Sequence, residues 1–381
     1  MKITVVEGPV LPNTDTQTAV GTMTVEQLLG VYDVDQYDPD VGMPGEDGGY
    51  QRLAKENRVK ELASKIGKKG LVVANAILFN VRPENAVPKK LVFDDNGIMS
   101  LNLPKKIWIE DGQHRVEAWK RVFENPEEYG ISKKKIAETK ICFVMYWGSA
   151  IEEEVNTFFD TNNFSKGLEL ENRLELDVYL SKIADGHTHT PNQGLIDADE
   201  VVKALETHQL WEGKIRKPNS TVGVVPRSAL LRSIEMMFKD PVMIDIELED
   251  RKKLVVSVWE ALAEVFPVIF EDPMPKNWAL QKAIGVNIVH KLTPYICGNI
   301  YKKRGTPGTK NSNLDPLSKD SYVEYFSKMK SISDDNLKLI DGLSFWKAGK
   351  DGGAGTYSSG QGKKMLLDIY LHAILGIKPS Q

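Results

Sequence analysis

The sequence has little cysteine, no long apolar run and no excess of positive charge. Only two of its 381 residues are cysteines, Cys142 and Cys297, and both lie in apolar surroundings. They predict buried free thiols, and they exclude a disulfide framework or a cysteine-based zinc site. No apolar run reaches the roughly 18 residues of a membrane-spanning helix, and the N-terminus lacks the apolar segment of a signal peptide. We therefore expect a cytoplasmic protein that does not span a membrane.

The charge balance differs from that of a dedicated duplex-DNA binder, which usually carries a strong basic excess. The net charge is −4 and the isoelectric point is about 6.0. A local excess exists at 302–364, where 12 Lys and Arg accompany 7 Asp and Glu. This C-terminal stretch is either a patch for a phosphate-rich partner or an ordinary solvated face.

The length and a hydrophobic content of 41% predict an ordinary globular chain of about two or three domains. Apolar β-type runs alternate with amphipathic stretches up to about residue 165, and helical patterns dominate afterwards. We predict an α+β domain at 1–168 with a small mixed sheet, and a mainly α-helical domain at 169–381. Local patterns also predict a helix at 52–67, a β-hairpin at 90–103 and a Gly/Ser/Lys loop at 349–364.

The strongest chemical signal is the pentapeptide from Asp111 to Arg115, which reads Asp-Gly-Gln-His-Arg. It follows an apolar strand and precedes an amphipathic helix. Such a turn leaves backbone N–H groups at the helix start, where the helix dipole attracts an anion. Gly112 permits close approach, and the Arg115 guanidinium suits phosphate. Asp111 can hold a hydroxyl or Mg²⁺. The alternative is that Asp111 only caps the helix and the rest lie at the surface.

Three weaker clusters join this motif as candidates. Gln51 and Arg52 stand at the predicted helix entrance and can reach the same anion if that helix packs near the motif. Asn162 and Lys166 end another helix and can bind ribose, base or phosphate. Ser359, Lys363 and Lys364 belong to the Gly/Ser/Lys loop and are candidates for DNA contacts. Each cluster has an ordinary structural alternative, namely a helix-start turn, a helix cap or a surface loop. The sequence contains no GxSxG, HExxH or Walker pattern.

The pentapeptide is the name-giving motif of the DGQHR-domain proteins, which resemble the ParB/sulfiredoxin superfamily. In that superfamily an equivalent strand, turn and helix binds nucleotide phosphates. Gln51-Arg52 is similar to the upstream Gln-Arg element of the family, and 159–162 is similar to its downstream Phe-x-x-Asn element. The resemblance covers 50–170 clearly and the remainder weakly. It implies a ParB-like fold with ATP and Mg²⁺ as ligands.

The resemblance implies two functions. DpdB-like members act with a transglycosylase-like partner that inserts 7-deazaguanine into DNA, and they are implied to hydrolyse ATP. DndB-like members are implied to bind DNA as transcriptional regulators of DNA phosphorothioation systems. Because the net charge is acidic, we expect an ATPase of the first kind, with the DNA-binding regulator as the alternative. The expected catalytic residues are Asp111, Gln113, His114 and Arg115, and the expected nucleotide-binding residues are Gln51, Arg52, Gly112, Asn162 and Lys166. An inert scaffold, a nuclease and an oligomer remain open.

Overall fold

The protein divides into two compact units, Met1–Ile183 and Ala184–Gln381. The structure, a computed structural model, describes residues 2–9, 16–38, 48–69, 75–164, 170–183, 191–304, 314–333, 339–349 and 352–377. The first unit combines a mixed sheet with helices and the second is mainly helical, so the expected α+β class is confirmed. The boundary drawn from the sequence at 168/169 falls between described segments, and the helix Leu170–Ile183 belongs to the first unit.

Within the described residues, the first unit contains seven strands and six helices. The strands are β1 (Lys2–Glu7), β2 (Gln17–Thr24), β3 (Tyr32–Asp33), β4 (Ile77–Val81), β5 (Ile98–Asn102), β6 (Ile107–Asp111) and β7 (Lys140–Trp147). The helices are α1 (Val25–Leu29), α2 (Glu56–Lys69), α3 (Gln113–Glu124), α4 (Lys133–Ala137), α5 (Ile151–Phe164) and α6 (Leu170–Ile183).

The strands form one sheet in the order β3-β6-β4-β7-β2-β1-β5. Strand β3 runs parallel to β6 and β4 runs parallel to β7, while all other neighbours are antiparallel. Strand β6 therefore lies near one edge and leads through Gly112 straight into α3. This connection places the pentapeptide motif at the end of the sheet.

The two faces of the sheet carry different side chains. Alternation along β6 puts Ile107 and Ile109 on the main core face, where Phe79 and Phe143 meet with ring centroids 5.0 Å apart. Helices α2 and α3 contribute the apolar side chains at helical spacing that complete this core: Val59, Ala63, Ile66, Val116, Trp119 and Val122. On the other face, Trp108 and Glu110 lie on the side of α5, where Phe158 packs with Tyr50 in a smaller cluster.

Three local predictions for this unit were wrong. The helix predicted from residue 52 begins at Glu56, so Arg52 lies in the segment before it. The 90–103 stretch forms its turn, with Asp94 Oδ1 accepting from the Ile98 N–H at 2.9 Å. It makes only one strand, however, because β5 pairs with β1 and not with 90–94. Cys142 is exposed, since the alternation of β7 turns it away from the core. Cys297 in the second unit is buried as expected.

The second unit consists mainly of helices. They are α7 (Gln193–Glu206), α8 (Arg227–Phe238), α9 (Pro241–Ile244), α10 (Leu248–Val265), α11 (Pro267–Glu271), α12 (Ala283–Arg304), α13 (Asp320–Ser327), α14 (Gly342–Phe345) and α15 (Gly360–Leu375). Two short strand pairs accompany them, β8 (Ile215–Arg216) with β9 (Val225–Pro226), and β10 (Ser331–Ser333) with β11 (Leu339–Asp341). In the described parts of the chain, no helix combines the length and the apolar character needed to cross a membrane.

Candidate functional site

The turn between β6 and α3 depends on Gly112. This residue has φ 104° and ψ 7°, a left-handed conformation that side chains disfavour. A Cβ atom there would lie 3.0 Å from Nη2 of Arg115. Helix α3 then begins at Gln113 without a side-chain cap. The N–H groups of its first turn therefore remain directed at the space beyond the helix end, where they favour an anion.

Arg115 holds this turn in place. Its Nη2 donates to Asp111 Oδ2 at 2.8 Å, and its Nη1 donates to the carbonyl oxygens of Asn75 and Ala76, the latter at 3.0 Å. The side chain is only 12% exposed. The guanidinium thus fastens the first turn of α3 to the chain just before β4. It contributes its charge to the site, but much of its hydrogen-bonding capacity is already used.

Gln113 and His114 fasten the segment that precedes α2. The Gln113 amide nitrogen donates to the Arg52 carbonyl at 2.9 Å, and His114 Nε2 accepts from the Lys55 N–H at 3.1 Å. Burial lowers the pKa of His114 to about 4, with nearby Arg58, Arg52 and Lys55 as further causes. The imidazole is therefore neutral at pH 7, and its proton belongs on Nδ1 because Nε2 is an acceptor.

These contacts enclose a cavity of about 520 Å³, which we call the motif cavity. It brings together the sequence-predicted residues Gln51, Arg52, Asp111, Gly112, Gln113, His114, Arg115 and Asn162. Gln51 is fixed by its amide nitrogen, which donates to the Ile109 carbonyl. The Asn162 amide donates to the Phe158 carbonyl at 2.8 Å. Residues distant in sequence thus line one site, as the resemblance implied.

The motif cavity also contains residues that the sequence analysis missed, namely Arg58, Leu62, Asn75, Glu110 and Phe158. Arg58 is exposed, and it forms no ion pair within the part of the chain that the structure describes. Glu110 is only 2% exposed, although it stands in an otherwise apolar strand. That mismatch was a readable signal, because a carboxylate at an inward strand position requires an explanation.

A buried polar network supports the cavity on the α5 side of the sheet. Arg82 donates from Nε and Nη2 to the two oxygens of Glu154, at 2.9 and 2.8 Å, and from Nη2 to Asp35 at 2.5 Å. Glu154 also accepts from Asn80 at 2.8 Å and from the Tyr50 hydroxyl at 2.7 Å. Tyr50 in turn accepts from Gln51 at 3.3 Å. The network therefore links α5 and β4 to the wall of the motif cavity.

The remaining candidates do not join this cavity. Lys166 lies outside the described residues. Ser359, Lys363 and Lys364 belong to the second unit, and part of their predicted loop is helical because α15 begins at Gly360. Ser359 caps that helix by accepting from the Gly362 N–H at 2.9 Å. The two lysines therefore stand in the first turn of α15.

The described residues offer little for a protein-held metal ion. They contain no group of three or more His, Cys, Asp or Glu side chains suited to a metal. Asp111 supplies a single carboxylate at the motif cavity, and Arg115 already binds one of its oxygens. Mg²⁺ usually takes one or two carboxylates together with substrate phosphates. These residues alone therefore do not form a magnesium site.

A Ser–His contact in the second unit is structural. Ser233 Oγ lies 2.7 Å from His290 Nδ1, while His290 Nε2 accepts from the Trp259 indole at 3.1 Å. The proton of the neutral ring must then sit on Nδ1, which donates to the serine. His290 cannot take the serine proton in this tautomer. The pair therefore does not serve as a nucleophile and its base.

The fold and the motif cavity together define an α+β domain with a glycine turn and several cationic side chains around a concave site. Residues 14–176 match the family described as DndB: DNA-sulfur modification-associated. The first unit is therefore DndB-like, and it is similar to proteins associated with DNA modification. The match favours the phosphorothioation alternative over the 7-deazaguanine interpretation, and it does not support a DpdB-like grouping.

Two further comparisons complete this result. One similar solved structure is described as a Pnob8-like ParB-N domain, with 11% sequence identity and a TM-score of 0.24, over 81% of this chain and 90% of that chain. A likeness at this distance carries no argument about function. No curated protein matches the sequence.

The turn geometry predicts a specific effect of Gly112→Ala. The substitution should lower the free energy of unfolding by about 1–3 kcal/mol, because it strains the backbone and displaces Arg115. Gly130→Ala is the matched control, since Gly130 has φ 67° and no neighbouring atom within 4 Å of a new Cβ. Urea denaturation measures the loss, and hydrogen exchange should show faster opening of α3 only in Gly112→Ala. Equal exchange in both variants would contradict the role given to Arg115.

Proposed function

We propose that this protein acts in a DNA-sulfur modification system as a DNA-binding regulator whose N-terminal unit also binds ATP. The family match over residues 14–176 supports the first part. Within this proposal the protein works in the cytoplasm, and its partners are DNA and other subunits of the modification system. The transglycosylase-like partner belongs to the less supported 7-deazaguanine interpretation. A neighbouring cysteine desulfurase gene would agree with the proposal, and a neighbouring transglycosylase-like gene would oppose it.

The observation that carries the nucleotide part is the convergence of positive groups on the motif cavity. Arg52 and Arg58 line it beside the first turn of α3, and Arg115 adds a third guanidinium. A helix N-terminus with nearby arginines is suited to phosphate groups. The volume of about 520 Å³ lies within the usual range of small-ligand sites. These features favour a compact polyphosphate ligand over the wide groove surface that a DNA duplex needs.

Arg58→Ala should weaken ATP binding about 10–100-fold, because a charge-assisted hydrogen bond to phosphate contributes about 1.5–3 kcal/mol. Lys65→Ala is the control on the same helix, since Lys65 pairs with Glu61 at 2.5 Å and does not line the cavity. Isothermal titration calorimetry on the full chain measures both affinities. Unchanged ATP affinity in Arg58→Ala, or no ATP binding by the unaltered protein, would refute this assignment.

DNA binding is tested separately in the second unit. Lys363 and Lys364 stand in the first turn of α15, and Lys364 is exposed. Replacing both with alanine should weaken duplex binding and reduce the slope of log affinity against log salt by about one for each lost phosphate contact. The control is the double alanine variant of Lys252 and Lys253, which are paired with Glu249 and Asp250. A gel-shift series over salt concentration would contradict the proposal if both variants matched the unaltered protein.

ATP hydrolysis is a second candidate function, and Asp111 provides the observation that favours it. Its side chain is 56% exposed at the motif cavity, and Arg115 binds only Oδ2. Within the described residues Oδ1 has no hydrogen-bond partner, so it is free to orient a water molecule towards a bound phosphate. The neighbouring arginines would stabilise the charge of the transferred phosphoryl group.

Asp111→Asn should slow ATP hydrolysis about 10²–10³-fold while ATP affinity changes little. The amide retains the size of the carboxylate but loses the charge that orients water. Asp95→Asn, in an exposed turn far along the chain from the motif, is the control. A coupled phosphate-release assay, run with and without DNA, measures the rates. Equal turnover in the two variants would exclude a catalytic role for Asp111.

A further inference from the structure

Glu110 is a buried carboxyl group that the phosphate-binding proposal does not use. It lines the motif cavity and is only 2% exposed. Neither of its carboxyl oxygens has a hydrogen-bond partner among the described residues. Leaving a buried polar group unpaired costs about 1–3 kcal/mol, and more when the group is charged. A side chain retained under this penalty, and directed into a cavity, is suited to a ligand that supplies the missing partners.

The walls of the motif cavity differ in chemistry. Arg52, Arg58 and Arg115 form a cationic side that suits phosphate. Around Glu110 the other contributors are the amides of Gln51 and Asn162 and the aromatic ring of Phe158. An aromatic ring with uncharged hydrogen-bonding groups suits a nucleobase, which offers a flat face and a polar edge.

The surroundings of Glu110 favour its protonated form. Burial raises the pKa of Glu110 well above its ordinary value, and the negative charge of Glu154 raises it further. Arg82 acts in the opposite direction, but it is bound to Glu154 and Asp35. A protonated carboxyl presents one O–H donor beside one carbonyl acceptor. The edge of a nucleobase presents the complementary pair, a donor beside an acceptor.

We infer that Glu110 is a specificity-determining residue of the motif cavity, and that it reads the base edge of a nucleotide by a paired donor and acceptor. This inference rests on the proposed nucleotide-binding function. It adds that affinity depends on the base as well as on the phosphates. An uncharged amide at the same position would provide the same hydrogen-bonding pattern, whereas an apolar side chain of similar length would not.

The test compares ATP with inorganic tripolyphosphate on the full chain, using Glu110→Gln and Glu110→Met. The unaltered protein should bind ATP more tightly than tripolyphosphate. Glu110→Met should lose about tenfold in ATP affinity through two missing hydrogen bonds, and it should bind tripolyphosphate as before. Glu110→Gln should retain ATP affinity within about threefold. Thermal unfolding shows whether each variant is folded, and Met at this site should not lower stability because it removes an unpaired buried group.

The outcomes separate this inference from the proposed function. If Glu110→Met keeps the full preference for ATP while Arg58→Ala weakens both ligands, the phosphate site stands and the inference is refuted. Glu110→Gln losing as much ATP affinity as Glu110→Met would also refute it, because the group would then act as a charged carboxylate. If the unaltered protein binds tripolyphosphate as tightly as ATP, the base is not read and the inference fails. Failure to bind either ligand would refute the proposed nucleotide binding, and the inference with it.

Discussion

The attachment of Arg115 to the carbonyl oxygens of Asn75 and Ala76 is the contact on which the rest of the site depends. It joins the first turn of α3 to the start of β4, and the ion pair with Asp111 fixes the direction of the guanidinium. The glycine turn, the open N–H groups and the position of His114 all follow from that arrangement. A residue that looks like a ligand contact in the sequence therefore also serves as the structural anchor of the cavity.

The polar layer on the opposite face of the sheet has a related role. Glu154 is fully buried, and such a charge is tolerated only because Arg82, Asn80 and Tyr50 all bond to it. A buried ion pair of this kind contributes little net stability compared with apolar packing. Its benefit here is positional, since it fixes Tyr50 and through it Gln51. Arg82 also lies 3.8 Å from the Trp108 ring centroid, which adds a cation–π contact on the same face.

Local sequence patterns predict the elements next to the site well, because each element there carries its own signal. The glycine between an apolar strand and an amphipathic helix marks the turn at 112 without any long-range information. Strand β2 was missed, since Gln17–Thr24 mixes small and polar residues and becomes a strand through pairing with β1 and β7. The false hairpin at 90–103 has the same origin, because β1 outcompetes the local partner. The three consecutive glutamates of α5 look solvated in the sequence, and only the fold shows that Glu154 faces Arg82.

The bond between His114 and the Lys55 N–H also makes the segment before α2 sensitive to acid. Because the folded-state pKa is about 4, below the ordinary value of about 6.5, the unfolded chain binds a proton that the native ring refuses. This contribution to stability is fully present above about pH 6.5 and is lost as the pH falls towards 4. Protonation at Nε2 removes the acceptor for Lys55, so moderate acidity detaches the 52–55 segment, which carries Arg52, from the start of α3.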